Sequence, residues 1–351
     1  MRKTIYILPK SRPNFTNLFF RQENAILDTD IDQKKIIEIK KKNLLPYVVT
    51  KANFDKLLHN NIKVIIWNDH PFSMNNNYDY FLKKYNNFLT DKRLFISTFD
   101  CYKHLVKNFI PLSPPKFFQI KIKKELFYNK KYFDLIFLCG DNKIKFIHYI
   151  LYFSIYLISI FFWKKKFLLK NIFKKPFVKF LSYFSLGSER TKYFILMSFM
   201  KNFRRRYIKK ELEKIDNLNI FYSGSKKFCP FNAIDKHDLI DEKNSSKIFS
   251  KAKLIIATES FSNEPNERIF AMKFGCLPII EESYWIKKKK IDKNLFFDFN
   301  KKDLEKKIRL ILKKKNQKIF FLKNSILIAR QSNQRFRLLR NKYNKSIKKN
   351  F

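Results

Sequence analysis

Residues 251–280 read KAKLIIATESFSNEPNERIFAMKFGCLPII, and this stretch decides the fold. The run KLIIA is apolar and β-branched without alternation, which predicts a strand buried on both faces of a parallel sheet. A helix predicted from Pro265 ends before Gly275, and LPII predicts the next strand. Gly275 is one of only four glycines in 351 residues, and we expect it to end the helix in a left-handed conformation. Strand, helix and strand in this order predict a doubly wound α/β domain.

Further strand candidates fall into two series along the chain. The first series is Thr4–Leu8, Lys63–Trp67, Leu94–Thr98 and Asp134–Cys139. The second series is Tyr193–Ser198, Asn219–Tyr222, Lys253–Thr258, Leu277–Ile280 and Leu295–Phe297. Helical stretches such as DYFLKKYNNFL, RRRYIKKELEKI and KKDLEKKIRLILKK separate them. The pattern predicts two Rossmann-like domains, 1–140 and 193–315, that face each other across a cleft.

Two segments lie outside these domains. Between them, 141–192 is apolar and basic, and 146–163 holds 18 residues without a formal charge, followed by three lysines. Its aromatic content and lysine flanks favour a helix at a membrane surface; a buried helix and a membrane span are the alternatives. After them, 316–351 predicts a basic helix whose part beyond Arg335 is largely solvated.

Composition narrows the function classes. The net charge is +45, which attracts polyanions such as anionic lipid or nucleic acid, although AT-rich codons explain part of the lysine and phenylalanine content. The cysteines and histidines lack zinc-ligand spacing, and Cys139 and Cys276 lie in apolar runs that indicate core positions in a reducing compartment. The N-terminus predicts a first strand and no signal peptide. No phosphate-binding glycine motif or nucleophile elbow is present in the sequence.

Candidate ligand-binding residues follow the strand KLIIAT. Glu259 and Ser260 stand at its carboxyl end, where open α/β sheets bind ligands. Asn263 is suited to cap the next helix, whose free N–H groups attract a diphosphate, and Glu267 could accept hydrogen bonds from sugar hydroxyls. In the alternative interpretation, Glu264 and Glu267 only complement the helix dipole.

The run KAKLIIATES…NERIFAMKFGCLPII resembles the donor-site signature of GT-B glycosyltransferases of the group-1 families, and GCLPII resembles exostosin-type and fucosyltransferase-type members. The stretches NIFYSG and FRRRYIKKELEKIDN resemble the start of the same donor domain. The likeness covers roughly 193–315. The family places glutamates where this chain has Phe270 and Ser262, whereas Glu259 and Glu267 keep the same separation three residues earlier, about one helical turn.

The resemblance implies binding of a nucleotide-sugar in the second domain, with no obligatory metal and no cofactor. A cation is then needed to neutralise the diphosphate that leaves. Arg204 and Arg206, at the start of a predicted helix, and Lys226, just after Gly224, are the candidates, with a solvated Arg run as the alternative.

The first domain offers a candidate catalytic base. Asp69 and His70 follow the strand VIIW and could deprotonate an acceptor hydroxyl, although an ordinary turn before Pro71 explains them equally. The stretch AILDTDID resembles the metal-binding Asp-x-Asp of GT-A glycosyltransferases, but too few residues precede it, and Asp28 and Asp30 are interpreted as turn or cap residues.

The sequence therefore predicts a GT-B-like glycosyltransferase of cell-surface polysaccharide biosynthesis. It would transfer a sugar from a nucleotide-sugar to a glycan or lipid-linked acceptor, and it would bind the anionic cytoplasmic face of a membrane. No nucleic-acid partner is expected. The rival hypothesis is a non-catalytic basic protein that binds a membrane surface or nucleic acid, which the net charge of +45 alone would favour.

Overall fold

The computed structural model describes residues 3–8, 25–49, 54–67, 92–98, 108–111, 120–139, 202–237, 242–257, 271–282, 290–299 and 301–351. The chain divides into two compact units, the first formed by 1–117 with 336–351 and the second by 118–335. Each unit contains one six-stranded sheet in which every described strand pair is parallel. The prediction of two Rossmann-like domains is confirmed.

The sheet of the first unit has the order β2-β1-β3-β4-β5-β6. Its strands are β1 (Thr4–Leu8), β2 (Ala25–Leu27), β3 (Leu45–Val49), β4 (Val64–Trp67), β5 (Leu94–Thr98) and β6 (Phe109–Pro111). Two helices, α1 (Gln33–Lys41) and α2 (Asp55–His59), pack on one face through residues such as Ile36 and Leu57, which share a core with Ile5 and Ile7. Asp32 caps α1 by accepting a 2.7 Å hydrogen bond from the backbone N–H of Lys35.

The opposite face of the first sheet is covered by the end of the chain. Helix α6 (Gln317–Asn350) brings Tyr343 and Ile347 into a core with Leu45, Tyr47 and Ile65. These core residues alternate along the strands with those that face α1, as expected for a sheet buried on both sides. The prediction that the chain is largely solvated beyond Arg335 holds for one side of the helix only, because the helical spacing of Phe336, Leu339, Tyr343 and Ile347 buries the other side.

The sheet of the second unit has the order β12-β11-β10-β7-β8-β9. Its strands are β7 (Phe133–Cys139), β8 (Ile220–Gly224), β9 (Ala233–His237), β10 (Ala252–Ala257), β11 (Leu277–Glu281) and β12 (Phe296–Phe297). The described helices of this unit are α3 (residues 202–212), α4 (Glu242–Ser250), α5 (Leu304–Leu312) and the first part of α6. Counted from β7, the strands follow the order 3-2-1-4-5-6 of dinucleotide-binding domains.

The domain division differs from the predicted one at β7. The sequence analysis assigns this strand to the first domain, which was expected to end at 140, yet β7 pairs with β8 and β10 in the second sheet. The predicted connecting segment 141–192 lies outside the described residues, and it joins two neighbouring strands of one sheet.

Gly275 has the conformation expected from the sequence. Its φ is +80°, and a Cβ at this position would lie 2.5 Å from the backbone oxygen of Leu126. The N–H of Gly275 donates to the oxygen of Met272 at 3.2 Å, and the N–H of Cys276 donates to that of Ala271 at 3.2 Å. This pair of hydrogen bonds is the Schellman arrangement that ends a helix, and only glycine adopts its left-handed residue without strain.

Candidate functional site

The second sheet contains a switch point between β7 and β10. These two strands are neighbours, but the chain continues from β7 to β8 on one side and from β10 to β11 on the other. Parallel α/β sheets bind ligands in the crevice outside the carboxyl ends of such a strand pair. In this unit, that edge lies at Cys139, the last residue of β7, and Ala257, the last residue of β10.

The end of β8 is held unusually close to the end of β7. The backbone N–H of Ser225 donates to the oxygen of Cys139 at 3.3 Å, and Gly224 has a φ of +144°. A Cβ on residue 224 would lie 1.7 Å from that same Cys139 oxygen, so no other residue fits without a backbone shift. Glycine at 224 thus brings the turn that carries Lys226 next to the switch point.

The buried side chain of Tyr222 stabilises the turn after β8. Its hydroxyl donates a hydrogen bond to the backbone oxygen of Ser225. Burial raises the pKa of Tyr222 well above its usual range, so the phenol stays neutral and remains a donor at any physiological pH. The 3₁₀ helix Lys226–Phe228 follows, with Phe228 buried and Lys226 exposed to solvent.

The start of α3 packs against the same turn. The guanidinium of Arg205 lies 5.8 Å from the ring centroid of Phe228 and donates a 3.2 Å hydrogen bond to Oδ1 of Asn202. Arg206, the next residue, is exposed. The structure therefore leaves two of the predicted cations, Arg206 and Lys226, at the surface, and the buried Arg205 connects the elements that carry them.

Arg204 has a different environment from the one predicted. Its side chain is 1% exposed, and its NH2 lies 2.8 Å from Oε1 of Glu281, which is 3% exposed. The guanidinium also lies 5.3 Å from the ring centroid of Phe299. Glu281 ends β11, so this buried ion pair joins the start of α3 to the carboxyl edge of the sheet. The positive charge of Arg204 is balanced inside the protein.

The sequence analysis missed Glu281 as a functional candidate. A usable signal is present, because the carboxylate directly follows the wholly apolar LPII of a predicted buried strand. A charge at the end of such a strand needs a partner, which here is Arg204. The other predicted site residues lie outside the described residues; they are Asp69, His70, Glu259, Ser260, Asn263 and Glu267.

The described residues contain neither a metal-binding cluster nor a membrane-spanning helix. No group of three or more histidine, cysteine or carboxylate side chains within them could hold a metal ion. None of the helices in the described ranges is both long enough and apolar enough to cross a bilayer. Cys139 and Cys276 are buried thiols, as predicted for core residues.

The whole chain is similar in structure to T4 phage BGT. The complex of T4 phage BGT with UDP and Mn²⁺ has a TM-score of 0.52 and 10% sequence identity, covering 98% of this chain and 99% of that one. The complex with its UDP-glucose substrate has a TM-score of 0.45 and 11% identity over the same shares. No protein-family model and no curated protein sequence matches the chain. The first likeness shows that the chain has the two-domain α/β fold of the GT-B class.

Proposed function

We propose that the protein is a glycosyltransferase that moves a sugar from a nucleotide-sugar to an acceptor hydroxyl. The observation that carries the proposal is the strand order of the second sheet, with its switch point between β7 and β10. Domains with this strand order bind dinucleotides at the carboxyl edge of the sheet. Support comes from the similar fold of T4 phage BGT, which was solved with UDP.

The donor site would lie at the carboxyl ends of β7, β8 and β10. Glu259 and Ser260 follow β10 within three residues, and Asn263 with Glu267 would offer a helix cap and a carboxylate to the ribose or sugar hydroxyls. Lys226 is an exposed cation beside the ends of β7 and β8. We propose that it neutralises the diphosphate, with Arg206 as the second exposed cation.

Arg204 would support this site indirectly. Because Glu281 balances its charge, we propose that Arg204 is a positioning residue that fixes α3, and with it Arg206, relative to the carboxyl edge. A residue that acts in this way affects donor binding through the geometry of its neighbours.

The reaction would form a bond between the acceptor oxygen and the anomeric carbon while the bond from that carbon to the diphosphate breaks. In an inverting enzyme, a base takes the acceptor proton, and Asp69 or His70 after β4 is the proposed base. The leaving diphosphate needs cations or N–H donors in place before reaction, which preorganised groups provide at low cost.

The acceptor would be a glycan or a lipid-linked sugar used in cell-surface polysaccharide biosynthesis, and the protein would work at the cytoplasmic face of a membrane. Two sequence features support this proposal: the net charge of +45 and the uncharged, aromatic stretch 146–163 with its lysine flank. No resident cofactor is proposed, because the nucleotide-sugar is a substrate.

Calorimetry with UDP, GDP and dTDP tests the donor site, with and without Mn²⁺ because the similar structure contains that ion. We expect saturable binding of one nucleotide that survives moderate salt and weakens about tenfold in Lys226→Gln, as expected for loss of one charge-assisted contact. Lys227→Gln is the matched control, because Lys227 is the next residue and is also exposed. Binding that only decreases with salt, equally in both variants, would instead favour the non-catalytic rival.

A transfer assay with the identified donor tests the helix after β10. Glu267→Ala should abolish transfer without unfolding the protein, whereas Glu264→Ala should not. Retained transfer in Glu267→Ala would remove this carboxylate from the site.

A further inference from the structure

The part of α6 that belongs to the first unit has one buried and one cationic side. Phe336, Leu339, Tyr343 and Ile347 are buried. The exposed basic residues of the same turns, here called the cationic face, are Arg337, Arg340, Lys342, Lys345, Lys348 and Lys349. The helix therefore presents a fixed row of positive charges to the outside of the first unit.

The cationic face differs from the other basic helices in its lack of acidic residues. In α1, Glu38 accepts hydrogen bonds from Lys35 at 2.7 Å and Lys42 at 2.8 Å, and in α5, Glu305 pairs with Arg309. By contrast, α6 contains ten basic residues and no acidic one, and no aspartate or glutamate follows Glu305 in the chain. Like charges three and four residues apart destabilise a helix, so an external anionic partner would relieve this repulsion.

The first unit holds this face in place from below. Tyr343 contacts Tyr47 with ring centroids 6.2 Å apart, and Lys63 donates a 3.0 Å hydrogen bond to the backbone oxygen of Asn350. The ring of Phe351 lies 4.6 Å from that of Phe95. The charges are thus carried by an element whose other side is part of a core, and binding costs little ordering of the backbone.

We propose that the cationic face of α6 docks the protein on an anionic phospholipid bilayer, which deepens the membrane location proposed above. Leu338 lies among the cations and is 52% exposed, as expected for a helix that places an apolar side chain at the lipid boundary. The aromatic residues of the same turns, Phe336 and Tyr343, are buried, so this face offers no stacking platform for nucleic-acid bases.

Sedimentation of the full-length protein with vesicles tests the proposal, using phosphatidylcholine with about 30% phosphatidylglycerol and phosphatidylcholine alone. The test variant is Arg337→Gln/Lys345→Gln/Lys348→Gln. Each lost cation should weaken binding to the anionic vesicles about fivefold, so the triple variant should bind about a hundredfold more weakly. Vesicles of phosphatidylcholine alone should bind neither protein appreciably.

The matched control is Lys34→Gln/Lys40→Gln/Lys41→Gln, which removes the same charge from exposed positions on α1, across the first sheet from α6. Binding close to that of the parent protein is expected for this control. An equal loss in both variants would mean that net charge alone attracts the vesicles, and would overturn the proposal. The proposal would also be overturned if the α6 variant bound the anionic vesicles as well as the parent protein, or if the parent protein did not sediment with them.

A parallel titration of the parent protein and the α6 variant with duplex and single-stranded DNA distinguishes nucleic-acid phosphates from phospholipid phosphates. If the α6 variant loses DNA binding but keeps vesicle binding, the face is a nucleic-acid surface and the membrane proposal fails. Failure of the glycosyltransferase proposal would be seen separately, as a protein that binds anionic vesicles through α6 but no nucleoside diphosphate. Circular dichroism melts of both triple variants exclude unfolding as the cause of any loss.

Discussion

Replacing Arg204 by methionine removes one member of a buried ion pair and leaves the other in place. The two side chains are 1% and 3% exposed, and the NH2 of Arg204 lies 2.8 Å from Oε1 of Glu281. A carboxylate left uncompensated at such a site destabilises a protein by about 3–5 kcal/mol. We therefore expect Arg204→Met to lower the free energy of unfolding of the second unit by about that amount.

The double variant Arg204→Met/Glu281→Leu gives the decisive comparison. Replacing both charges by apolar side chains is often neutral or stabilising by about 1–4 kcal/mol, so the double variant should be clearly more stable than either single one. The exposed pair of Lys42 and Glu38 provides the control, since breaking it by Lys42→Met should cost at most about 1 kcal/mol.

Hydrogen exchange in peptides covering 202–212 and 277–282 measures the effect locally, because a chain of two units need not unfold in one step. Faster exchange in both peptides is expected for Arg204→Met, with recovery in the double variant. If Arg204→Met leaves exchange unchanged and only weakens nucleotide binding, then Arg204 contacts the donor directly, and the positioning role is refuted.

Three further predictions concern single residues. Gly275→Ala should destabilise the second unit by about 1–3 kcal/mol, because its φ of +80° and the Leu126 oxygen 2.5 Å from the new Cβ both oppose a side chain; an unchanged urea midpoint would contradict this. Tyr343→Ala should cost the first unit about 3–5 kcal/mol in a urea titration, since it empties a buried core position, and a loss below 1 kcal/mol would show that the helix end is not anchored there. The hydrogen bond from Lys35, followed by that from Lys42, lowers the pKa of Glu38 from 4.5 to about 2, so its stabilising effect is complete above pH 4.5 and is lost as the pH falls towards 2. In Lys35→Met, NMR titration should show the pKa of Glu38 rising towards 4.5, and no rise would exclude the ion pair.

Apolar runs predicted most interior strands. β1 and β5 have the predicted bounds, and β10 and β11 begin or end within one residue of them. Three edge strands, β2, β6 and β9, were not predicted, because an edge strand needs little apolar sequence. The interior strand β3 was not predicted either. Its second residue is Pro46, and proline is normally excluded from interior strands. A local pattern identifies a strand but does not say which sheet it joins, which is why β7 was assigned to the wrong domain.

The candidate site shows the same limit. Its position at the carboxyl ends of predicted strands follows from chain order, and the glycine after NIFYS indicates a close turn. The partner of Arg204 is 77 residues away in the sequence, in another strand, and no helical or strand period connects the two. Which of the three consecutive arginines are buried depends on the rotation of α3 against the sheet. The contacts of Arg204 with Phe299 and of Arg205 with Phe228 set that rotation.

The return of α6 to the first unit determines the order in which the chain can mature on the ribosome. Residues 336–351 are translated only after all of 118–335. The face of the first sheet that packs against Tyr343 and Ile347 therefore lacks these residues while the second unit is synthesised. The first unit is therefore the last to complete its core, and a nascent chain stalled before 336 would expose Leu45, Tyr47 and Ile65 to chaperones.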